Sequence, residues 1–376
     1  MTGKSAVIIS GVHWHSTWQR HHHIASQLAS TGWKIIFIEP LPKRWPAAGE
    51  WKRLVNRLSG RSEGAGTCVQ NVPEGVEILS PLLLPDVGFI ARGVNKLLFI
   101  PLISEVILNK LSGEHPLLIN YLPTPASIAL QKKLPARVRV YDCVCDWAHD
   151  PYAVASGLEQ AEKDLLNETD IVTADSIHNY KRMQALHPRV FQLEGGVEYE
   201  RFEPARHPRK RENPPLCVYF GDIGVHSDLE LLAKVSHRFR LKLIGPVRLP
   251  LTGFSDKAEI LGPVHYDKLP ELLAEADVLL LPYRNTAHNQ GVLPAKTFEC
   301  LATGKPTVVI NLPSLQVYSN LFYLCSTHEE FLSSIEKSAF EDTSKMRERQ
   351  EAAAQHSWTV KVSELLKMTG EIYGRG

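Results

Sequence analysis

The sequence predicts an α/β protein of two lobes, each a parallel β-sheet covered by helices, and three observations carry that expectation. Short apolar runs alternate with helix-patterned stretches along the whole chain. The length of 376 residues suits two domains of the ordinary ~100–200 residues. Between 201 and 215, RFEPARHPRKRENPP is rich in proline and in Lys/Arg with almost no aliphatic content, so it cannot pack as an element, and the alternation restarts after it.

In the first lobe SAVIIS (5–10) is a buried strand ending at Gly11, WQRHHHIASQLASTG is a helix stopped by Gly32, and WKIIFIEP is the next strand. PLLINYLP (116–123), RVRVYDCV (137–144) and DIVTADS (170–176) are further strands, separated by the helices PASIALQKKL and LEQAEKDLLNE. The second lobe reads LCVYFGD, a helix from about Asp228, RLKLIGPV, a short AEILGPV, the helix LPELLAEA, DVLLLPY, a helix within 291–306, and PTVVINL. The last segment, SWTVKVSELLKMTGEIY, is a helix capped by Ser357 that is expected to cross back onto the first lobe. The domains are therefore expected at 1–200 together with 357–376, and at 216–356, with 201–215 as linker.

Composition is that of an ordinary globular protein, 44% apolar and 22% charged, and a net charge of +1 gives no argument for nucleic acid. Six scattered cysteines read as free thiols in a reducing compartment, and Cys143-Val-Cys145 is too close for a zinc knuckle. The apolar run at the N-terminus is too short for a signal peptide, and no apolar run reaches the ~18 residues of a membrane span. The nearest approach, KLLFIPLISEVIL (96–108), is interrupted by Pro101 and Glu105.

The stretch GVLPAKTFECLATGKP (291–306) holds the most informative residues. Pro294 suits the first turn of a helix and Gly304-Lys305-Pro306 its end, which predicts a helix over about 294–303. Lys296 and Glu299 then share a face, with Glu299 in mid-helix. The plain alternative for the two is a surface ion pair.

DVLLLPYRNTAHNQGVLPAKTFECLATGKPTVV resembles the nucleotide-sugar site of GT-B glycosyltransferases, especially the family 4-like group of bacterial envelope enzymes. Gly11 with Trp18-Gln19-Arg20, Tyr141-Asp142 with Asp146, LEGGVEYERF (193–202) and YFGDIGVHSDLELL (219–232) extend the resemblance over nearly the whole chain. It implies a GT-B fold: two Rossmann-like domains facing each other across a cleft, the first binding acceptor and the second binding donor. It implies that Glu299 binds the donor ribose hydroxyls and Lys296 the pyrophosphate, roles that suit a carboxylate and an ammonium. Gly221 and Asp222 of the glycine turn are then expected beside the donor phosphates, and Val264, His265 and Tyr283 by the nucleobase. Pro294 opens the helix whose N-terminal amides face the diphosphate. Many retaining members carry a second glutamate eight positions before the first, where this chain has Gly291, so the anomeric outcome stays open. Gly291 also resembles the branch that includes the inverting xanthan glucuronosyltransferase.

An inverting transferase needs a base for the acceptor hydroxyl. YDCVCDWAHD (141–150) ends a strand of the first lobe, so Asp146 first, then Asp142, and Asp150 are the candidates, with a capping role for Asp146 as the alternative. His13 or His15 in GVHWHSTWQRHHH is a further candidate base, and Trp18 and Arg20 are expected to bind acceptor. His21, His22 and His23 cannot share one helix face, so no metal is expected there, nor any cofactor beyond the nucleoside diphosphate sugar, UDP first.

Residues 43–61 carry six Lys/Arg against Glu50, a net +5. Within them Trp51, Leu54 and Leu58 line one side of a helix expected over 48–59, opposite Lys52, Arg53 and Arg57, a pattern that suits an anionic membrane surface, with 82–102 as a second apolar contributor. The expected protein is thus a cytoplasmic glycosyltransferase, peripheral at the inner face of the membrane, acting on a lipid-linked or polysaccharide acceptor. The competing readings are a UDP-sugar epimerase of the same fold and a non-catalytic two-lobed nucleotide- or sugar-binding protein.

Overall fold

The structure is a computed structural model that describes residues 4–16, 18–41, 71–86, 88–149, 157–207 and 213–373, with side chains through residue 370. The basic segment 43–61 and Asp150 lie outside the described residues.

The chain divides into two compact units, one of residues 1–175, 179–193 and 362–376, the other of 176–178 and 194–361. The first unit is built on seven strands: β1 Ser5–Ile9, β2 Lys34–Ile38, β3 Val76–Leu79, β4 Leu117–Asn120, β5 Val138–Cys143, β6 Ile171–Ala174 and β7 Val190–Gln192. They lie in the order β3-β2-β1-β4-β5-β6-β7 and every neighbouring pair is parallel. Every residue of β1 and β4 is buried, as expected for central strands covered on both faces. One face packs Val7, Ile9, Ile36 and Leu118 against Ile107, Leu111, Ala126 and Leu130 of the helices.

Local chemistry explains the helix boundaries. Thr124 and Ser127 cap each other's backbone at 3.1 and 3.0 Å, which starts the Pro125–Lys133 helix. Pro101 does not end a helix. A π-helical turn over Asn95–Phe99 joins the Phe89–Val94 and Ile100–Leu111 helices, and the widened turn accommodates the proline, which has no N–H to donate.

The second unit holds β8 Leu216–Phe220, β9 Arg240–Ile244, β10 Glu259–Gly262, β11 Val278–Leu281, β12 Thr307–Ile310 and β13 Tyr323–Cys325, in the parallel order β10-β9-β8-β11-β12-β13. In both sheets the strand order therefore reverses once, between β1 and β4 and between β8 and β11. The first turn after each of these strands is where such sheets bind ligands. Ser357 Oγ accepts from Val360 N at 3.3 Å, so the Trp358–Tyr373 helix begins where its cap predicts.

The expected 294–303 helix is shorter, Thr297–Thr303. Thr297 turns both its N–H and its hydroxyl onto the Pro294 carbonyl, at 2.9 and 2.6 Å, and so closes a separate turn before the helix starts. Lys296 becomes the N-cap and Glu299 lies in the first turn rather than in mid-helix. The C-terminal stop is as expected: Gly304 is left-handed at φ 73° and donates to the Leu301 carbonyl at 2.9 Å.

Candidate active site

The second unit gathers its chemistry at the β8/β11 switch point. Gly221 follows β8 with φ 111°, a conformation that favours glycine, and a Cβ there would overlap Lys296 Nζ. The Lys296 ammonium donates to Tyr219 Oη at 3.3 Å and stands 4.4 Å from the Tyr219 ring and 5.7 Å from the Tyr283 ring. Burial works against its charge, but the oxygens of Tyr219 and Tyr283 hold its pKa above the ordinary value. The result is a permanent cation over a bare backbone at the carboxyl end of the sheet. The Tyr283 hydroxyl is itself pushed up to about 12, chiefly by burial, and stays neutral.

Glu299 lies one turn further on. Tyr266 Oη donates to its Oε1 at 2.6 Å, and burial pushes the carboxyl up to about 7, against the lowering effects of Tyr266 and Lys296. Arg201 covers the Tyr266 ring at 5.2 Å and pairs with Glu198 and Asp267, so Tyr266 is clamped behind the glutamate. Val264 packs beside Tyr266 on the core of this unit, while His265 caps the turn at Tyr266–Lys268 and faces Asp267 at 3.2 Å. Asp222 is exposed at the mouth and accepts from Arg248 Nε at 3.0 Å. The structure therefore brings Glu299, Lys296, Gly221, Tyr283 and Val264 into one neighbourhood, with Asp222, His265 and Pro294 in the loops around it. Sequence reasoning missed Tyr219, at the end of β8, and gave no separate role to Tyr266, the last residue of the GPVHY stretch (262–266) expected by the nucleobase.

Gly291 has a packing reason. An added Cβ would lie 3.0 Å from His178 Cδ2, and the Gly291 carbonyl accepts from Ser176 Oγ at 2.7 Å. A side chain there requires His178 to give by a few tenths of an ångström. In LEGGVEYERF, Glu194 accepts from Tyr318 and His356 at 2.8 and 3.1 Å, and Gly196 leaves room for the Trp358 ring.

In the first unit Arg20 and Asp142 form a bidentate pair, Nε to Oδ2 at 2.6 Å and Nη2 to Oδ1 at 3.1 Å, and Thr173 Oγ1 donates to the same Oδ1 at 2.8 Å. An acid and a cation read separately as base and acceptor ligand are thus partners. Asp146 is buried and holds His149 Nδ1 at 2.9 Å and the Ala148 N–H at 3.3 Å in a turn, with Arg182 Nε at 3.8 Å. Arg182 is in turn paired with the buried Glu162, which accepts from Tyr141. His13 Nδ1 faces Glu39 Oε2 at 3.3 Å, and Glu39 also accepts from Ser80 and from the Trp14 N–H. Burial would raise Glu39, but the bonds from His13 and Ser80 hold it down at about 2. A carboxylate behind an imidazole is the arrangement that supports a base. His15 is exposed.

Trp18 stacks on His22 at 4.7 Å and donates to His23 Nδ1 at 3.0 Å, while His21 packs on Tyr121 and meets Ser10 Oγ at 3.1 Å. The three histidines are all buried but point to different partners, and among the described residues no group of three His, Cys, Asp or Glu is placed to hold a metal ion. Asp175, at the end of β6, was missed by sequence reasoning. Burial pushes it up to about 6 against its bond from Asn179.

Two parallel sheets of this order, with an ammonium and a carboxylate at the second sheet's switch point, match the GT-B fold. Residues 219–336, which contain Lys296 and Glu299, match the family described as Glycosyl transferases group 1. The chain's similarity to a curated protein is 25% identity over 270 residues with TuaH of Bacillus subtilis (strain 168), named provisionally as a teichuronic acid biosynthesis glycosyltransferase. That match takes in 61% of this chain and 66% of TuaH, just under two thirds of its length. Among solved structures, sucrose-phosphate synthase from Thermosynechococcus elongatus superposes with a TM-score of 0.69 at 13% identity, covering 99% of this chain and all of that one. Anabaena HepE, solved with UDP and glucose, gives 0.64 at 12% identity over 98% of this chain and all of its own. WaaG, a glycosyltransferase of lipopolysaccharide biosynthesis, gives 0.61 at 13% over 96% and 98%. At these identities the likeness is one of fold.

Proposed function

We propose that the protein transfers a sugar, hexosyl or uronosyl, from a nucleoside diphosphate, UDP first, to a lipid-linked or polysaccharide acceptor in bacterial envelope or exopolysaccharide synthesis. What supports it is the Lys296–Gly221–Glu299 arrangement inside the group 1 segment: a half-buried cation over a backbone with no side chain, and a carboxylate one turn away. The ammonium stabilises the diphosphate as its bond to the sugar breaks, and the carboxylate accepts the ribose hydroxyls. The seven-residue helix begins with its first N–H already turned onto Pro294, so Lys296 rather than the helix amides carries the anion in this proposal. Residues of the first unit take the proton of the acceptor hydroxyl, Asp146 being the base favoured by the family resemblance. A second reading, His13 as base, is favoured by its contact with Glu39. Such an enzyme works at the inner face of the cell membrane.

The test is thermal stabilisation by UDP, since a ligand that binds the folded state raises Tm in proportion to RT ln(1 + [L]/Kd). UDP is expected to raise Tm, and Glu299→Ala to remove the rise; a wild-type protein that no nucleoside diphosphate stabilises defeats the proposal. Turnover of a UDP-sugar without any acceptor identifies an epimerase instead, and nucleotide binding with no turnover of any pair identifies a binding protein.

A further inference from the structure

We propose that Tyr266 is a positioning residue for Glu299: its hydroxyl proton fixes one carboxylate oxygen and leaves the other to accept from the nucleotide. This role rests on the proposed reading of Glu299 as the ribose ligand. Tyr266 Oη donates to Glu299 Oε1 at 2.6 Å, and among the described residues none donates to Oε2. One oxygen is thus committed to the protein and the other is open to a ligand.

The tyrosine is held from two sides. Arg201 lies over its ring at 5.2 Å and is itself paired with Glu198 and Asp267. Phe202, fully buried, meets the same ring edge-on with the centroids 6.3 Å apart. Arg201 and Phe202 are consecutive residues of the 3-10 segment Tyr199–Ala205, so one short element sets the place of the ring and with it the aim of the hydroxyl.

What the hydroxyl does to Glu299 follows from the charges around the carboxyl. Burial is the largest effect and pushes its pKa up to about 7; Tyr266 is the strongest opposing group, ahead of Lys296, and Glu198 adds to the rise. The adjacent Cys300 thiol is pushed up by burial and stays neutral. Ribose hydroxyls are donors, so they bind the ionised carboxylate and lose an acceptor when it takes up a proton. Near neutrality the group is balanced between the two forms, and a proton donated to the charged form favours that form. Without the Tyr266 donor the pKa moves further up, so the carboxylate is depleted at pH 7 and restored by pH 9. Lys296, held above its ordinary value, keeps its charge over that whole range.

The experiment compares the full chain with its Tyr266→Phe variant, which keeps the ring and removes only the hydroxyl. UDP affinity is measured by calorimetry at pH 7 and pH 9. The Glu299 carboxyl is titrated without nucleotide by carbon-13 NMR, its signal being the one that Glu299→Gln removes. Tyr266→Phe is expected to raise the titration midpoint by about one pH unit, and so to weaken UDP binding about fivefold at pH 7 and less than about twofold at pH 9. An unchanged midpoint overturns the role of Tyr266, as does an affinity loss of the same size at both pH values, which is what a purely structural tyrosine gives. A wild-type chain that binds no UDP at either pH defeats the proposed function instead, and the midpoint still decides whether Tyr266 sets the state of Glu299.

Discussion

Arg20 holds Asp142 through two bonds, at 2.6 and 3.1 Å, across 122 residues of sequence, and the two side chains are 9% and 2% exposed. The pair joins the start of the first helix to the end of β5. Burial disfavours the guanidinium charge, and Asp142, with Tyr121 and Asp175, more than offsets it, so Arg20 stays ionised. A carboxylate already accepting from a guanidinium and from Thr173 is a strut before it is a base. Asp142→Asn is therefore expected to cost about 3–5 kcal/mol of stability by leaving a buried cation unmatched, as measured by urea denaturation. An inactive variant of unchanged stability would return Asp142 to the catalytic candidates.

Glu299 predicts a pH dependence. A carboxyl whose pKa rises from 4.5 to about 7 on folding holds its proton more tightly in the folded chain, so it lowers stability progressively between those values and by a constant amount above them. Glu299→Gln removes that penalty. The variant should be more stable than the parent at pH 8, by on the order of 2 kcal/mol, with the difference fading below about pH 4.5. The same variant should lose UDP stabilisation. Equal stability at pH 8 would mean that the carboxylate is better solvated than its position indicates.

Gly221→Ala puts a Cβ into the space of the Lys296 ammonium at a left-handed φ. About 1–3 kcal/mol of stability should be lost through backbone strain, together with roughly tenfold or more of UDP affinity by calorimetry. Lys296→Met should lose the affinity without the strain, which separates the two causes.

Gly291→Ala meets His178 at 3.0 Å although its φ of −82° is ordinary. A loss of about 1 kcal/mol is expected, and it should vanish in a His178→Ala background, a coupling that a double-mutant cycle measures. Additive losses would show that the contact yields freely.

Asp146→Asn is expected to keep the UDP-dependent rise in Tm and to lower sugar transfer by about a hundredfold or more. If transfer is unchanged while His13→Ala abolishes it, the base belongs to the His13–Glu39 pair.

Much of the architecture was legible in the sequence because its signals are local. Apolar runs mark β1, β4, β5 and β6 to within a few residues, since a covered parallel strand needs apolar side chains on both faces. Gly304 and Pro306 mark a helix end because one tolerates a left-handed turn and the other cannot continue the helix. The start of the same helix was misplaced, since Thr297 spends its N–H on Pro294, a choice that a proline in the text does not reveal. The short range of these rules is also their limit.

By itself the sequence determined two parallel α/β sheets, the helix stops, and Lys296 and Glu299 as neighbours at the start of one short helix, because each depends on residues a few positions apart. Only the tertiary structure decided that Asp142 belongs to Arg20, that the Lys296 ammonium lies over Gly221, that Tyr266 backs Glu299, and that His178 fills the space beside Gly291. Those pairings join residues from about 33 to 122 positions apart, and strand order, not local propensity, sets which of them meet.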